Sequence, residues 1–191
     1  MAPIEGVYTM KKVLITVGVV LLVILGVLTY FRLVYTKSFS PEANVEFTDG
    51  DLEVNLFYNS PSKKGREIFG GLVPYKKVWR TGANEPTTFE TNKDLNFGGK
   101  TLKAGLYSLW VMPDEQSWTV YFNSEVPSWG VDFNGQANRN PKMDALIVQA
   151  PVVIQEKVIE QFTISVEKTA EEMELVFLWD QTLVSVPFTR Q

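Results

Sequence analysis

The sequence contains no cysteine and no histidine. Without cysteine there can be no disulfide, thiolate nucleophile, cysteine-ligated zinc, iron–sulfur cluster or lipid-bearing N-terminal cysteine. Without histidine, Ser-His-Asp and Cys-His nucleophiles, imidazole metal ligation and histidine general-base chemistry are excluded as well. Any catalysis would have to run on carboxylates, Lys, Arg, Tyr, Ser or Thr. No residue is assigned a catalytic role on sequence grounds, and no metal or cofactor is expected. Internal repeats and low-complexity tracts are also missing, and a composition of 45% hydrophobic, 13% aromatic and 21% charged residues is that of a folded chain. Cationic surface is scarce too: residues 38–191 carry 14 Lys plus Arg against 21 Asp plus Glu, a formal charge of −7. Nucleic acid is a poor partner for such a surface.

What the chain does have is one long uncharged run. Residues 13–31 (VLITVGVVLLVILGVLTYF) contain 19 positions without a charge, preceded by Lys11 and Lys12 and followed by Arg32. As a helix rising 1.5 Å per residue this run is roughly 28 Å long, close to the ~30 Å hydrocarbon core of a bilayer. Tyr30 and Tyr35 fall where interfacial aromatics lie, and Arg32 and Lys37 can reach the headgroups. A cleaved signal peptide would have a shorter apolar run and a small-residue cleavage site, whereas this run ends in Leu28, Tyr30 and Phe31. The expected organisation is therefore a short tail (residues 1–12), a transmembrane anchor (13–35), a linker (36–44) and a single β domain (45–191). By the positive-inside rule, Lys11 and Lys12 with the terminal amine outweigh Arg32 and Lys37. That places the domain outside the cytoplasm, which in a bacterium means the periplasmic face of the inner membrane.

From Val45 onward the pattern is short alternating runs divided by turn residues, as in antiparallel strands. Leu52, Val54, Leu56 and Tyr58 alternate with polar or outward positions, and Asp49-Gly50 marks a hairpin with the run before them. Residues 87–91 and 95–97 lead to Gly98-Gly99, a tight turn, with a further strand after it. Residues 106–112 (LYSLWVM) and 118–122 (WTVYF) flank a polar turn. Runs at 145–150, 162–166, 173–179 and 183–188 complete the pattern. About nine strands at this spacing give an all-β fold, an antiparallel sandwich or partly closed barrel, behind one N-terminal transmembrane helix.

Residues 59–86 (NSPSKKGREIFGGLVPYKKVWRTGANEP) break the alternation and are too long for a simple connection. Between residues 63 and 80 they hold six cations (Lys63, Lys64, Arg66, Lys76, Lys77, Arg80) against Glu67, a local charge of +5 on an acidic domain. In the motif WRTGANE, Arg80, Asn84 and Glu85 supply a fork of donors, an amide and an acceptor. Small residues between them let the backbone approach closely. That combination suits a ligand bearing hydroxyls and a carboxylate. Arg66 and Tyr107 can join the set if the loop folds over the sheet, with Trp79 or Trp110 as a flat wall. The bland alternative is that Arg80 pairs with Glu85 or Glu90 beneath the loop.

The block SPSKKGREIFGGLVPYKKVWRTGANEPTTFET, followed by GGKTLKAGLYSLW and WTVYF, resembles the bacterial family called Domain of Unknown Function 2911. The resemblance is strong over residues 58–123 and looser beyond. It implies an envelope-associated bacterial protein, often exported, and no particular activity. The functional expectation is a membrane-anchored ligand-binding or interaction module taking a small acidic or hydroxyl-rich ligand at Arg66, Trp79, Arg80, Asn84, Glu85 and Tyr107. The alternatives are a structural component of an envelope assembly partnering another envelope protein, or a carboxylate-based hydrolase. The anchor is open to test: the mature chain is expected to begin upstream of residue 13 and to resist carbonate and high-salt extraction from membranes. A purified chain whose N-terminal sequence starts beyond Phe31 would contradict this.

Overall fold

The computed structural model describes residues 4–170 and 172–191, with side chains from Thr9 onward. The first three residues of the expected tail lie outside the described residues. The chain divides into two units, residues 1–39 and 40–191.

The first unit is helical. Helix α1 (Ile4–Tyr30) runs through a π-helical turn (Phe31–Tyr35) into α2 (Thr36–Phe39). The stretch from Thr9 to Phe39 is long and apolar enough to cross a membrane, and none of it is buried against protein. Helix continues into the expected linker because Thr36 Oγ1 and Ser38 Oγ bond back to the carbonyls of Arg32 and Tyr35, and nothing there breaks the ladder. Pro41 is the breaker. Its ring disfavours the α conformation at Ser40, and it offers no N–H, so the helix stops at Phe39. The first strand then begins at Glu42, and the linker is reduced to Ser40 and Pro41.

Among the described residues, the regular structure of the second unit is β apart from one 3₁₀ turn (Pro141–Met143), with long loops at 60–86 and 124–140. Strands β1 (Glu42–Asp49), β2 (Leu52–Asn59), β3 (Thr87–Thr91), β4 (Leu95–Phe97), β5 (Lys100–Leu102), β6 (Gly105–Pro113), β7 (Ser117–Asn123), β8 (Asp144–Lys168) and β9 (Met173–Arg190) form one antiparallel sheet. Their order is β1-β2-β3-β6-β7-β8-β9-β4-β5. Gly50, at φ 64°, takes the left-handed position of the β1–β2 turn, as its Asp-Gly sequence requires.

The sheet folds over on itself through β8 and β9. β8 pairs with β7 through Pro151 and with β9 from Val152 on, with register shifts at Ile154/Ile159 and Ile159/Thr163. In β9 the positions that join the core are Met173, Leu175, Phe177 and Trp179, then Val184, Val186 and Phe188, while Val176 is buried outside that cluster. The inward set thus passes from odd to even numbers. The switch falls at Asp180, whose φ is 55°, opposite the register shifts at which β8 carries the extra residues. Alternation alone reads this break, and the exposed stretch near 151–160 of β8, as strand ends. Bent strands keep the ladder instead, so the runs at 145–150 and 162–166 form one strand and those at 173–179 and 183–188 another.

Between the folded halves lies a core led by Trp118, Trp179, Phe89, Phe122, Phe162, Phe177 and Phe188, all essentially inaccessible. The open side is closed by the segment after β2. Phe162 N–H donates to Pro61 O (2.9 Å) and Lys63 N–H to Glu160 O (2.6 Å). Ser60 Oγ donates to Phe162 O at 2.5 Å. One rung further, the buried Tyr58 hydroxyl stands in for a strand, accepting from Ile164 N–H at 3.1 Å. Tyr58→Phe strands that buried N–H and is expected to cost about 1–3 kcal/mol in denaturant unfolding. An unchanged midpoint would show that another group satisfies Ile164.

Candidate functional site

Strand β6 is flanked on one side by β3 only as far as the Thr87–Leu109 pair. Two residues further along β6, Val111 exchanges backbone hydrogen bonds with Trp79 (2.7 and 3.1 Å). Residues 80–86 are therefore an excursion thrown out between neighbouring rungs, its ends about 7 Å apart at ~3.3 Å per strand residue. This excursion contains the WRTGANE motif.

Its backbone is held in unusual conformations. Thr81 has φ 56° and Asn84 φ 56°. Asn tolerates the left-handed region, but a β-branched residue there is strained, and such residues persist only when their surroundings over-determine them. Those surroundings are visible. Thr87 Oγ1 donates to Thr81 O at 2.6 Å, the Trp79 indole N–H donates to Gly82 O at 3.0 Å, and Ala83 N–H donates to Asn59 O at 3.2 Å. Gly82 (φ 148°) sits so close to Asn59 that a Cβ would lie 2.7 Å from its carbonyl oxygen.

Asn59, the fully buried last residue of β2, is the hub of the turn. Besides its carbonyl contact, its Nδ2 donates to Glu85 Oε2 (3.0 Å) and its Oδ1 accepts from Asn84 Nδ2 (3.4 Å). One side chain thus orients both the amide and the carboxylate of the motif.

Arg80 is treated differently. No carboxylate pairs with it among the described residues, and its Nε is sealed from solvent with no hydrogen-bond partner. Burial alone holds the guanidinium below its usual value. A guanidinium stays protonated in proteins, so the cost of desolvating its charge is present at neutral pH. The pairing of Arg80 with Glu85 or Glu90 is not what the structure contains.

A second loop closes on this side chain. Gly130, in the connection from β7 to β8, donates its N–H to Asn84 O at 3.0 Å. A Cβ at Gly130 would stand 2.4 Å from Arg80 Cδ and 2.8 Å from Asn84 O. Only glycine allows this approach.

Of the residues singled out in the sequence, Arg80, Asn84 and Glu85 come together at this turn. Trp79 sits at its root but faces the core, stacked on Trp179 (5.7 Å, 18°) and edge-on to Phe162 (4.9 Å). Arg66 is exposed and folded onto its own turn, Nε donating to Lys63 O at 3.0 Å and Nη2 to Ser62 O. Tyr107 is buried in β6, its hydroxyl donating to Lys103 O at 2.8 Å. Trp110 is fully buried, its indole N–H on Ser108 Oγ at 2.8 Å. Sequence reasoning did not single out Asn59, Thr81, Thr87 or Gly130. Asn59 only ends a regular strand, and Gly130 lies 45 positions beyond Glu85, so neither carries a local signal.

An antiparallel β domain behind an apolar N-terminal helix, with an arginine-bearing excursion on β6, is the class of protein defined here. The chain belongs to the family described as "Protein of unknown function (DUF2911)", whose profile matches residues 40–188. No curated protein and no solved structure matches it.

Replacing the unpaired guanidinium by an apolar side chain of similar length removes a desolvation cost and breaks no ion pair. Arg80→Met is therefore expected to keep the melting temperature of the full-length protein or raise it. Gly130→Ala should lower stability by about 1–3 kcal/mol, because backbone must move. A loss of ~3–5 kcal/mol on Arg80→Met would instead reveal a broken buried pair.

Proposed function

We propose that this chain is a single-pass protein of the bacterial cell envelope, held in the inner membrane with its β domain on the periplasmic side. We further propose that the domain binds a small acidic, hydroxyl-bearing ligand at the excursion of residues 80–86. The helix from Thr9 to Phe39 supports the anchor, and Lys11 and Lys12 ahead of the uncharged run support the orientation.

The observation that carries the ligand reading is Arg80. The Arg80 Nε is sealed from water and unbonded, and no carboxylate pairs with the side chain among the described residues, which suits an anion from outside the fold. The same turn carries the Asn84 amide and the Glu85 carboxylate, both held by Asn59. An amide and a carboxylate accept and donate to hydroxyls, which is the complement of a carboxylated sugar or a similar polar acid. The strain at Thr81 fits the same picture, since a turn fixed before binding spares the ligand the cost of ordering it.

Thermal unfolding of the full-length protein with glucuronate or inorganic phosphate at about 1–50 mM tests this reading through ligand linkage. Glucuronate is expected to raise the melting temperature in a saturable way and more than phosphate does. Arg80→Met should abolish the rise, while Lys77→Ala, at an exposed position, should keep it. If neither probe shifts the transition, or if Arg80→Met retains the shift, the site does not bind anions.

A further inference from the structure

We infer that the fork where β8 and β9 separate is a binding site for a short-chain carboxylic acid, with its carboxylate on Lys100 and its alkyl chain between the two strands. The site lies wholly within the β unit. It is independent of the membrane anchor and of the ligand at Arg80.

The fork follows from the register. β8 and β9 are paired from Val152 and Val184 onward, and the same ladder continued backward would set Pro151 against Ser185 and Gln149 against Pro187. Val152 N–H donates to Gln116 O on the β7 side at 2.9 Å, while the Ile147 carbonyl accepts from Lys100 Nζ at 2.9 Å. Odd-numbered residues of this part of β8 therefore turn their backbone groups toward β9. Both further rungs would lack a donor, because proline has no N–H, and the strands part there. The β4–β5 hairpin fills the outer part of the gap. Leu95 and Asn96 pair with Arg190 and Thr189, and Gln191 N–H donates to Asp94 O at 3.1 Å. Buried positions alternate without a break from Val184 to Phe188, so Thr189 and Gln191 use the edge of β9 that Leu183 uses for Val153. The hairpin thus occupies the edge that β8 has left. Its Gly98-Gly99 turn leaves room, since a Cβ at either glycine would meet no atom within 4 Å.

Between turn and fork lies a cavity of about 210 Å³. Buried Phe97, Val148 and Val186 line its floor, and exposed Lys100 and Gln149 line its rim. At ~30 Å³ for each water-sized group the space takes about seven non-hydrogen atoms, enough for a chain of about five or six carbons and too little for a peptide strand. Lys100 decides the head group. Its ammonium has three donors, of which Ile147 O takes one and holds the side chain at the rim. No carboxylate lies within ion-pair distance of it among the described residues, although the domain is acidic. A cation held by a carbonyl above an apolar slot, with an amide on the same rim, is complementary to a carboxylate on an alkyl chain.

The full-length protein in phosphatidylcholine nanodiscs, with its valine methyl groups carbon-13 labelled, reports the site through Val148 and Val186. Hexanoate at about 1–50 mM is expected to shift both methyl signals saturably. Hexylammonium lacks the charge and acetate lacks the chain, so each should bind at least roughly ten-fold more weakly. In Lys100→Glu, at an exposed position, the preference should invert, with hexylammonium shifting the two methyls and hexanoate failing to. Arg80→Met should leave the hexanoate response intact. No saturable shift at Val148 and Val186, an undiminished hexanoate response in Lys100→Glu, or an acetate response as strong as that of hexanoate overturns the inference. Loss of the response in Arg80→Met overturns it too, because the acid would then be bound at the other site.

Discussion

The buried side chain and carbonyl of Asn59 are the constraint on which the rest of the site depends. Asn59 closes β2 in the rung opposite Glu42, so its position is set by the sheet and not by the loop it serves. From that fixed point it binds Ala83 through its carbonyl, Asn84 through Oδ1 and Glu85 through Nδ2. Three consecutive residues of the excursion are thereby tied to one residue of the scaffold. Sites carried on regular elements are more rigid than sites carried on loops alone, and this turn borrows its rigidity from β2. Thr81 can hold a left-handed backbone conformation because the residues on both sides of it are already pinned.

The same logic runs through the larger fold. Long β8 and β9 each bend instead of ending, and the bends let one sheet enclose a core on both its halves. The aromatic group of Phe69, Trp79, Trp118, Phe162 and Trp179 lies where the long loop after β2 meets the bent part of β8 and β9. Trp79 belongs at once to this cluster and to the excursion, so the packing of the core and the placing of Arg80 are one problem. A conservative change at Trp79 should be read as a core change first.

How far all this was legible in the sequence depends on the range of the signal. Period-two burial is local, so β2, β3, β6 and β7 could be read with nearly their observed limits, and the Asp-Gly and Gly-Gly turns marked their hairpins. Bulges are not local in that sense. The change of inward parity across Asp180 looks in sequence like the end of one strand and the start of another, and only the partner strand shows that the ladder persists. In the long segment after β2, the density of Gly, Pro and cations drew attention to residues 59–86 and, within them, to Arg80, Asn84 and Glu85, which the fold places on one turn. Arg66 and Tyr107 share chemistry with that set but are fixed by neighbours elsewhere, to Ser62 and Lys63 in one case and to Lys103 in the other. Asn59 and Gly130 were invisible because their roles depend on contacts with residues 25 and 50 positions away.

Among the described residues, Arg80 Nε is the buried side-chain polar atom at this turn that lacks a hydrogen-bond partner. Asn84 and Glu85 are partnered, while the Arg80 Nε is dry and unbonded. The most direct test is the side-chain Nε–H resonance of Arg80 in the full-length protein, assigned by its loss in Arg80→Met. An unpaired guanidinium predicts a signal without the downfield shift of a carboxylate-bonded N–H, moving saturably as glucuronate is added. A downfield signal already present without ligand and unmoved by it would mean that the fold itself satisfies Arg80, and the turn would then be a structural joint alone.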